Sequence, residues 1–144
     1  LIWKRSLVLA KDHLFFGVGP IVFQSAYGTY LGEGYFKGAL APLPGEWAAY
    51  KWAVAHSAYL TVLVELGTFG FIVYFLFIVR IFQNLNSLTM KNYHKKYNLD
   101  FLFSGMKISY IGFLVCAVFL SQAYSVIFFL YLFISERLLK LIKS

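Results

Sequence analysis

Charge is scarce in this 144-residue chain: 13% of its residues are charged, and the 6 acidic residues face 13 basic ones. Soluble domains carry charge on about a quarter of their residues, so a well-solvated globular surface is excluded. The single cysteine, Cys116, lies in an apolar run and reads as a small membrane-packing residue rather than a redox group. The opening Leu1-Ile2-Trp3-Lys4-Arg5 lacks an initiator methionine, a leader-type n-region and a small-residue cleavage site. It is read as neither a signal peptide nor a natural start, but as an internal point in the C-terminal part of a longer polytopic protein. No repeat or low-complexity tract is visible. His13, His94, Glu33 and Glu46 show no metal-ligand spacing, so neither a metal nor another cofactor is expected.

What the chain does have is apolar mass. Its residues are 60% hydrophobic and 21% aromatic, with a mean hydropathy of +0.70. Soluble proteins reach about 45–50% apolar residues, so this is the composition of an integral membrane protein. The formal charge of +7 does not indicate nucleic acid, because the basic residues neither cluster on a soluble face nor interleave with a stacking platform. Anionic lipid head groups or a phosphate-bearing substrate suit it better.

A membrane-crossing helix needs about 20 apolar residues. The run 58–82 qualifies, interrupted by Glu65 and ended by Arg80. After a polar stretch over 83–100, the chain is apolar from Phe101 to Ser135 apart from Lys107. Ser121-Gln122 offers a break, giving spans near 102–121 and 124–140; a single tilted helix starting after Lys107 is the alternative. With two closing helices, Arg80, Lys91, Lys95 and Lys96 fall on the same side as Arg137, Lys140 and Lys143. The positive-inside rule makes that side the cytoplasm, toward which Lys107 can snorkel. Residues 1–57 then form an outer-face segment and 58–144 the transmembrane region. The expected class is an all-α polytopic membrane fragment with about three spans.

The outer segment opens with Trp3, Leu7, Ala10 and Leu14 at helical spacing, while Lys4, Arg5, Lys11 and Asp12 occupy other faces. This predicts a short amphipathic helix on the membrane surface. It stops at Gly17-Val18-Gly19-Pro20, read as a tight turn and not as a nucleotide loop, since no strand–turn–helix context surrounds it. Residues 27–55 mix glycines and aromatics without a period and are expected to form an ordered outer loop. Its aromatics, Trp47, Tyr50 and Trp52 among them, could stack on sugar rings or belong to an interfacial belt. Arg5 and Lys51 are candidate phosphate contacts, Arg5 being able to bind in a bidentate way.

The polar residues that begin the first span carry the chemistry. His56 precedes Ser57, a good helix N-cap that would fix the backbone beneath the imidazole. Imidazole can take up a proton near neutral pH, as a general base for a sugar hydroxyl requires. Glu65 lies about 13 Å further along the helix, too far to orient that ring. It is expected to pair with a basic or hydroxyl group on another helix. Gly67 and Gly70 share a face where a neighbouring helix could approach closely.

Trp3, Asp12-His13, Gly17-Val18-Gly19-Pro20 with Phe23, and His56-Ser57-x-x-Leu60-x-x-x-x-Glu65-x-Gly67-x-x-Gly70 together resemble the O-antigen ligase and O-antigen polymerase superfamily. The resemblance covers roughly residues 1–75. It implies a metal-independent membrane glycosyltransferase of the bacterial inner membrane, active on the periplasmic or outer face. Such an enzyme transfers a glycan from a polyprenyl-pyrophosphate carrier to a hydroxyl of a glycan or lipid A-core-like acceptor. His56 inherits the role of the histidine that activates the acceptor. The pyrophosphate-binding arginine of the family falls upstream of Leu1, leaving Arg5 as a substitute. Leu14 stands where the family often has proline, and Ser57 where asparagine is common. The rival reading is a transporter with a polar path at His56 and Glu65. Transporters tend to have Gly- or Pro-interrupted spans, and the periodicity of 58–82 predicts an uninterrupted one.

Overall fold

A computed structural model describes residues 1–45, 53–90, 100–121 and 123–143. Among these the chain is all helical: α1 (Ile2–Asp12), α2 (Phe23–Gly32), a 3-10 turn (Gly38–Leu40), α3 (Ala58–Met90), α4 (Asp100–Ala117) and α5 (Val126–Lys143). They fall into two compact units, Leu1–Val73 with Ala117–Ala123, and Tyr74–Cys116 with Tyr124–Ser144. Within the described residues, one helix is long and apolar enough to cross a membrane, over Ala58–Thr89. Phe101–Ala117 is a shorter apolar helix. The break between α4 and α5 falls where Ser121 marks it; Gln122 lies outside the described residues.

The first unit corrects the reading of the outer segment. Residues 23–32 are a helix rather than loop. Phe23, Tyr27 and Leu31 recur every four residues, and all three are buried against Leu9 of α1 and Val64 of α3. Gly28 and Gly32, poor helix formers, obscure that stripe in the sequence. Helix α1 forms as expected, with Lys4, Lys11 and Asp12 exposed, but Arg5 lies on its buried side. Arg5, Ser6, Leu9 and Ala10 are buried, while Trp3 and Leu7 are exposed, Trp3 stacking on Phe119 at 6.1 Å between centroids.

The main departure from expectation is inside α3. Gly67 has φ 66° and ψ −168°, a conformation essentially confined to glycine, and it interrupts the helix that periodicity predicts to be continuous. In an unbroken helix the Thr68 and Phe69 amides would bond to the Val64 and Glu65 carbonyls. Here the segment before α2 takes both sides of that exchange. The Val18 and Gly19 amides donate to the Val64 and Glu65 carbonyls, both at 2.9 Å. The Thr68 and Phe69 amides donate to the Leu14 and Phe15 carbonyls at 2.7 and 3.4 Å, and the Thr68 hydroxyl adds a bond to the Leu14 carbonyl. The partner admitted at Gly67 is therefore the segment before α2 rather than the expected neighbouring helix. A Cβ on Gly17 would overlap the Glu65 carbonyl, one on Gly67 the Phe15 carbonyl, and one on Gly70 the Cβ of Leu66. Together, the three glycines make the exchange possible.

In the second unit α3 runs to Met90, beyond the end expected at residue 82, because its last polar residues find partners. Buried Asn84 donates to the Glu136 carboxylate at 2.9 Å, and Arg80 donates to the same oxygen at 2.8 Å. Lys107 does not reach out alone: its ammonium donates to the Asn86 side-chain oxygen at 2.9 Å and lies 5.6 Å from the Phe82 ring centre. Tyr110 donates to the Ile78 carbonyl, and Tyr74 stacks on Phe128.

Two pairs of substitutions separate the interlock from ordinary helix packing. Gly17→Ala and Gly67→Ala place a Cβ in a left-handed, crowded position and should each cost about 3 kcal/mol or more. Gly105→Ala and Gly112→Ala meet open space and should be neutral or mildly stabilising. Thermal unfolding of the purified variants in detergent checks the contrast; equal tolerance of all four would refute the interlock.

Candidate active site

The N-terminal end of α3 is built on Ser57. Its carbonyl accepts from the Thr61 amide and hydroxyl at 3.0 and 2.9 Å, and its hydroxyl accepts a long 3.5 Å bond from the Leu60 amide. This is the expected N-cap, and Ser57 is buried beneath it. His56, one residue earlier, is exposed and has φ 49°. A non-glycine residue in the left-handed region costs free energy that the surrounding structure must supply, and such residues concentrate at functional sites. Among the described residues its imidazole has no hydrogen-bond partner. The fold therefore presents this ring outward on a backbone anchored from one side by Ser57.

Glu65 is 3% exposed. One carboxylate oxygen accepts from the Phe23 amide at 3.0 Å, the first amide of α2. This helix has no side-chain cap of its own. A carboxylate there satisfies an orphan donor and complements the positive end of the helix. The bond ties α2 to the broken span through backbone, a partner that could not be read from side-chain chemistry.

Arg5 is placed quite differently from an exposed phosphate ligand: it is 1% exposed. Its guanidinium donates to the Leu40 and Ala41 carbonyls at 2.8 and 3.2 Å and to the Tyr27 hydroxyl at 3.3 Å. It also lies 5.4 Å from the Phe36 ring centre. The residue thus clamps the chain after α2 onto α1 and α2. Trp47, Tyr50, Lys51 and Trp52 lie outside the described residues.

A contact that sequence reasoning missed joins the end of α1 to α2. The His13 ring nitrogen Nε2 and the Tyr30 hydroxyl are 3.0 Å apart, and Tyr30 stacks on Tyr35 at 4.4 Å. Burial, then the Asp12 carboxylate, pushes the Tyr30 phenol above its usual range. The available signal was the position of Asp12-His13 directly before the glycine turn.

The structure thus brings together Glu65 and Gly67 with residues 14–23, and Arg5 with residues 36–41; Gly70 lies against Leu66 of its own helix. His56 stands at the head of the same span. Loss of a buried charge-assisted bond costs about 1.5–3 kcal/mol, so Arg5→Ala should lower stability by at least about 2 kcal/mol and Arg5→Lys, which cannot fork to the same acceptors, by a similar amount. Both should expose the 36–45 segment to limited proteolysis. Unchanged cleavage there would contradict the clamp.

Comparison with known proteins places this arrangement in a family. Residues 1–75, from α1 through the glycine turn to just beyond Gly70, match the family described as O-antigen ligase. No curated protein and no solved structure matches the chain. The matched stretch contains both halves of the backbone exchange as well as His56 and Arg5. The chain belongs to the O-antigen ligase family.

Proposed function

We propose that this chain is the C-terminal part of a membrane glycosyltransferase that transfers an oligosaccharide from a polyprenyl-pyrophosphate carrier to an acceptor hydroxyl during surface polysaccharide synthesis. In this reading α3, α4 and α5 are three spans of the inner membrane, and the head of α3 faces the periplasm or cell exterior. His56 is the general base. Its imidazole takes the proton of the acceptor hydroxyl as that oxygen attacks the anomeric carbon, and the bond to the pyrophosphate oxygen breaks. Basic groups neutralise the charge that develops on the leaving pyrophosphate. Arg5 serves this chemistry as a positioning residue, through the chain it clamps, and Lys51 is a candidate phosphate contact. Trp47, Tyr50 and Trp52 are candidate platforms for sugar rings. Glycan or lipid A-core-like molecules are the proposed acceptors.

The observation that carries the reading is His56, exposed and left-handed, inside the part of the chain matched by the family. The interruption at Gly67 is a feature shared with transporters, but it does not favour transport here. The amides and carbonyls freed at the break are bonded to residues 14–19 instead of being offered to an ion.

His56→Ala and His56→Gly in the intact protein separate chemistry from backbone strain. Glycine accepts the left-handed conformation without steric strain, which offsets its larger entropy loss on folding, so His56→Gly should fold about as well as wild type. General-base catalysis contributes about 10²–10⁴-fold, so both variants should lose at least about 100-fold of transfer from a lipid-linked donor to acceptor in membrane vesicles. Wild-type transfer by His56→Gly would show that the imidazole is not the base.

A further inference from the structure

The ten residues Leu14–Phe23, Leu-Phe-Phe-Gly-Val-Gly-Pro-Ile-Val-Phe, include no polar side chain. Their large side chains are nonetheless mostly uncovered: Phe15 is 72% exposed, Phe16 82% and Ile21 86%, with Leu14 and Val22 also exposed. Ile21 adds a second cost, since it holds φ 62°, a region that β-branched residues almost never adopt. A loop facing water gains nothing from either arrangement, because each exposed apolar Å² forgoes about 25 cal/mol.

Three observations identify an environment in which the loop is stable. Phe69 and Ile72, on the turns of α3 just past the break, are exposed as well. The Phe69 amide bonds to the Phe15 carbonyl, so loop and helix present one apolar surface. Where the loop crosses α3 its backbone is paired: the Val18 and Gly19 amides and the Leu14 and Phe15 carbonyls bond to α3, the Gly17 amide bonds to the His13 carbonyl, and Pro20 has no amide hydrogen to satisfy. Non-helical chain is tolerated at membrane depth where protein covers its backbone, and α3 covers this one along residues 14–19. Finally, Gly67 lies about 13 Å along the helix from Ala58, well within a hydrocarbon layer about 30 Å thick.

We infer that residues 14–22 form a re-entrant wedge whose apolar side chains contact lipid acyl chains. The inference rests on reading α3 as a membrane span. The wedge fixes α1 and α2 at the bilayer, where a lipid-linked donor resides.

The test uses nitroxide labels on Phe15→Cys, Phe16→Cys and Ile21→Cys in a Cys116→Ser background of the intact protein. The protein is reconstituted in vesicles of phosphatidylcholine and phosphatidylglycerol, with Ile72→Cys as reference. Power saturation reads collision with oxygen, which partitions into hydrocarbon, and with a water-soluble nickel chelate. All three loop sites should match Ile72, with high oxygen and low nickel access. Nickel access at the loop sites with a lipid-like Ile72 would overturn the wedge and leave the span standing. Low access to both relaxants would reveal a covering helix or second copy, and would also overturn it. Nickel access at Ile72 would overturn α3 as a span, and the wedge with it.

Discussion

A helix as apolar as α3 can be interrupted only where the freed amides and carbonyls find partners, and at Gly67 they come from the segment leading into α2. Two bonds of the helical ladder are exchanged for four backbone bonds to residues 14–19, so the interruption leaves these backbone groups paired. Much of the first unit follows from that exchange. Gly17 and Gly67 are required because backbone passes against backbone with no room for a Cβ. Glu65, adjacent to the break, is carried to the start of α2 and caps it. Helix α2 in turn supplies Tyr27, which together with the Leu40 and Ala41 carbonyls holds Arg5. A single local conformation thus connects the span, both short helices and the chain beyond them.

Sequence made some of this legible and hid the rest, for physical reasons. Helix α1 and the Ser57 start of α3 were readable because periodicity and capping are local. The division between α4 and α5 was readable from its polar residues. The interruption at Gly67 was not, because apolar residues continue on both sides at helical spacing and a lone glycine within a span is compatible with an unbroken helix. Helix α2 was missed because Gly28 and Gly32 lower its propensity, and its Phe23–Tyr27–Leu31 stripe is stabilised by tertiary packing. Arg5 was read as a candidate phosphate contact, which needs an accessible guanidinium, and a charged side chain is rarely fully buried. What outweighs that rule is a set of backbone carbonyls 35 and 36 residues away, a match that no local pattern encodes.

The two glycine motifs gain a common meaning. Gly17-Val18-Gly19-Pro20 and Glu65-x-Gly67-x-x-Gly70 are separated by more than forty residues in sequence, yet they are the two sides of one backbone contact, and both lie in the stretch that matches the O-antigen ligase family. Their role is architectural. They set the first turns of α3 against α1 and α2, and His56 stands at the head of those turns on a strained backbone. The interlock pairs the backbone groups freed at the break, Ser57 anchors the helix start, and His56 is exposed beside it, where the proposed function makes its imidazole the general base.

Solid-state NMR of the intact protein in lipid, with ¹⁵N and carbonyl ¹³C labels placed to resolve single residue pairs, reads the exchange directly. A through-space correlation between the Val18 amide and the Val64 carbonyl is predicted, accompanied by one between the Thr68 amide and the Leu14 carbonyl. A correlation between the Thr68 amide and the Val64 carbonyl, as in a continuous helix, with both of the others missing, would contradict the account.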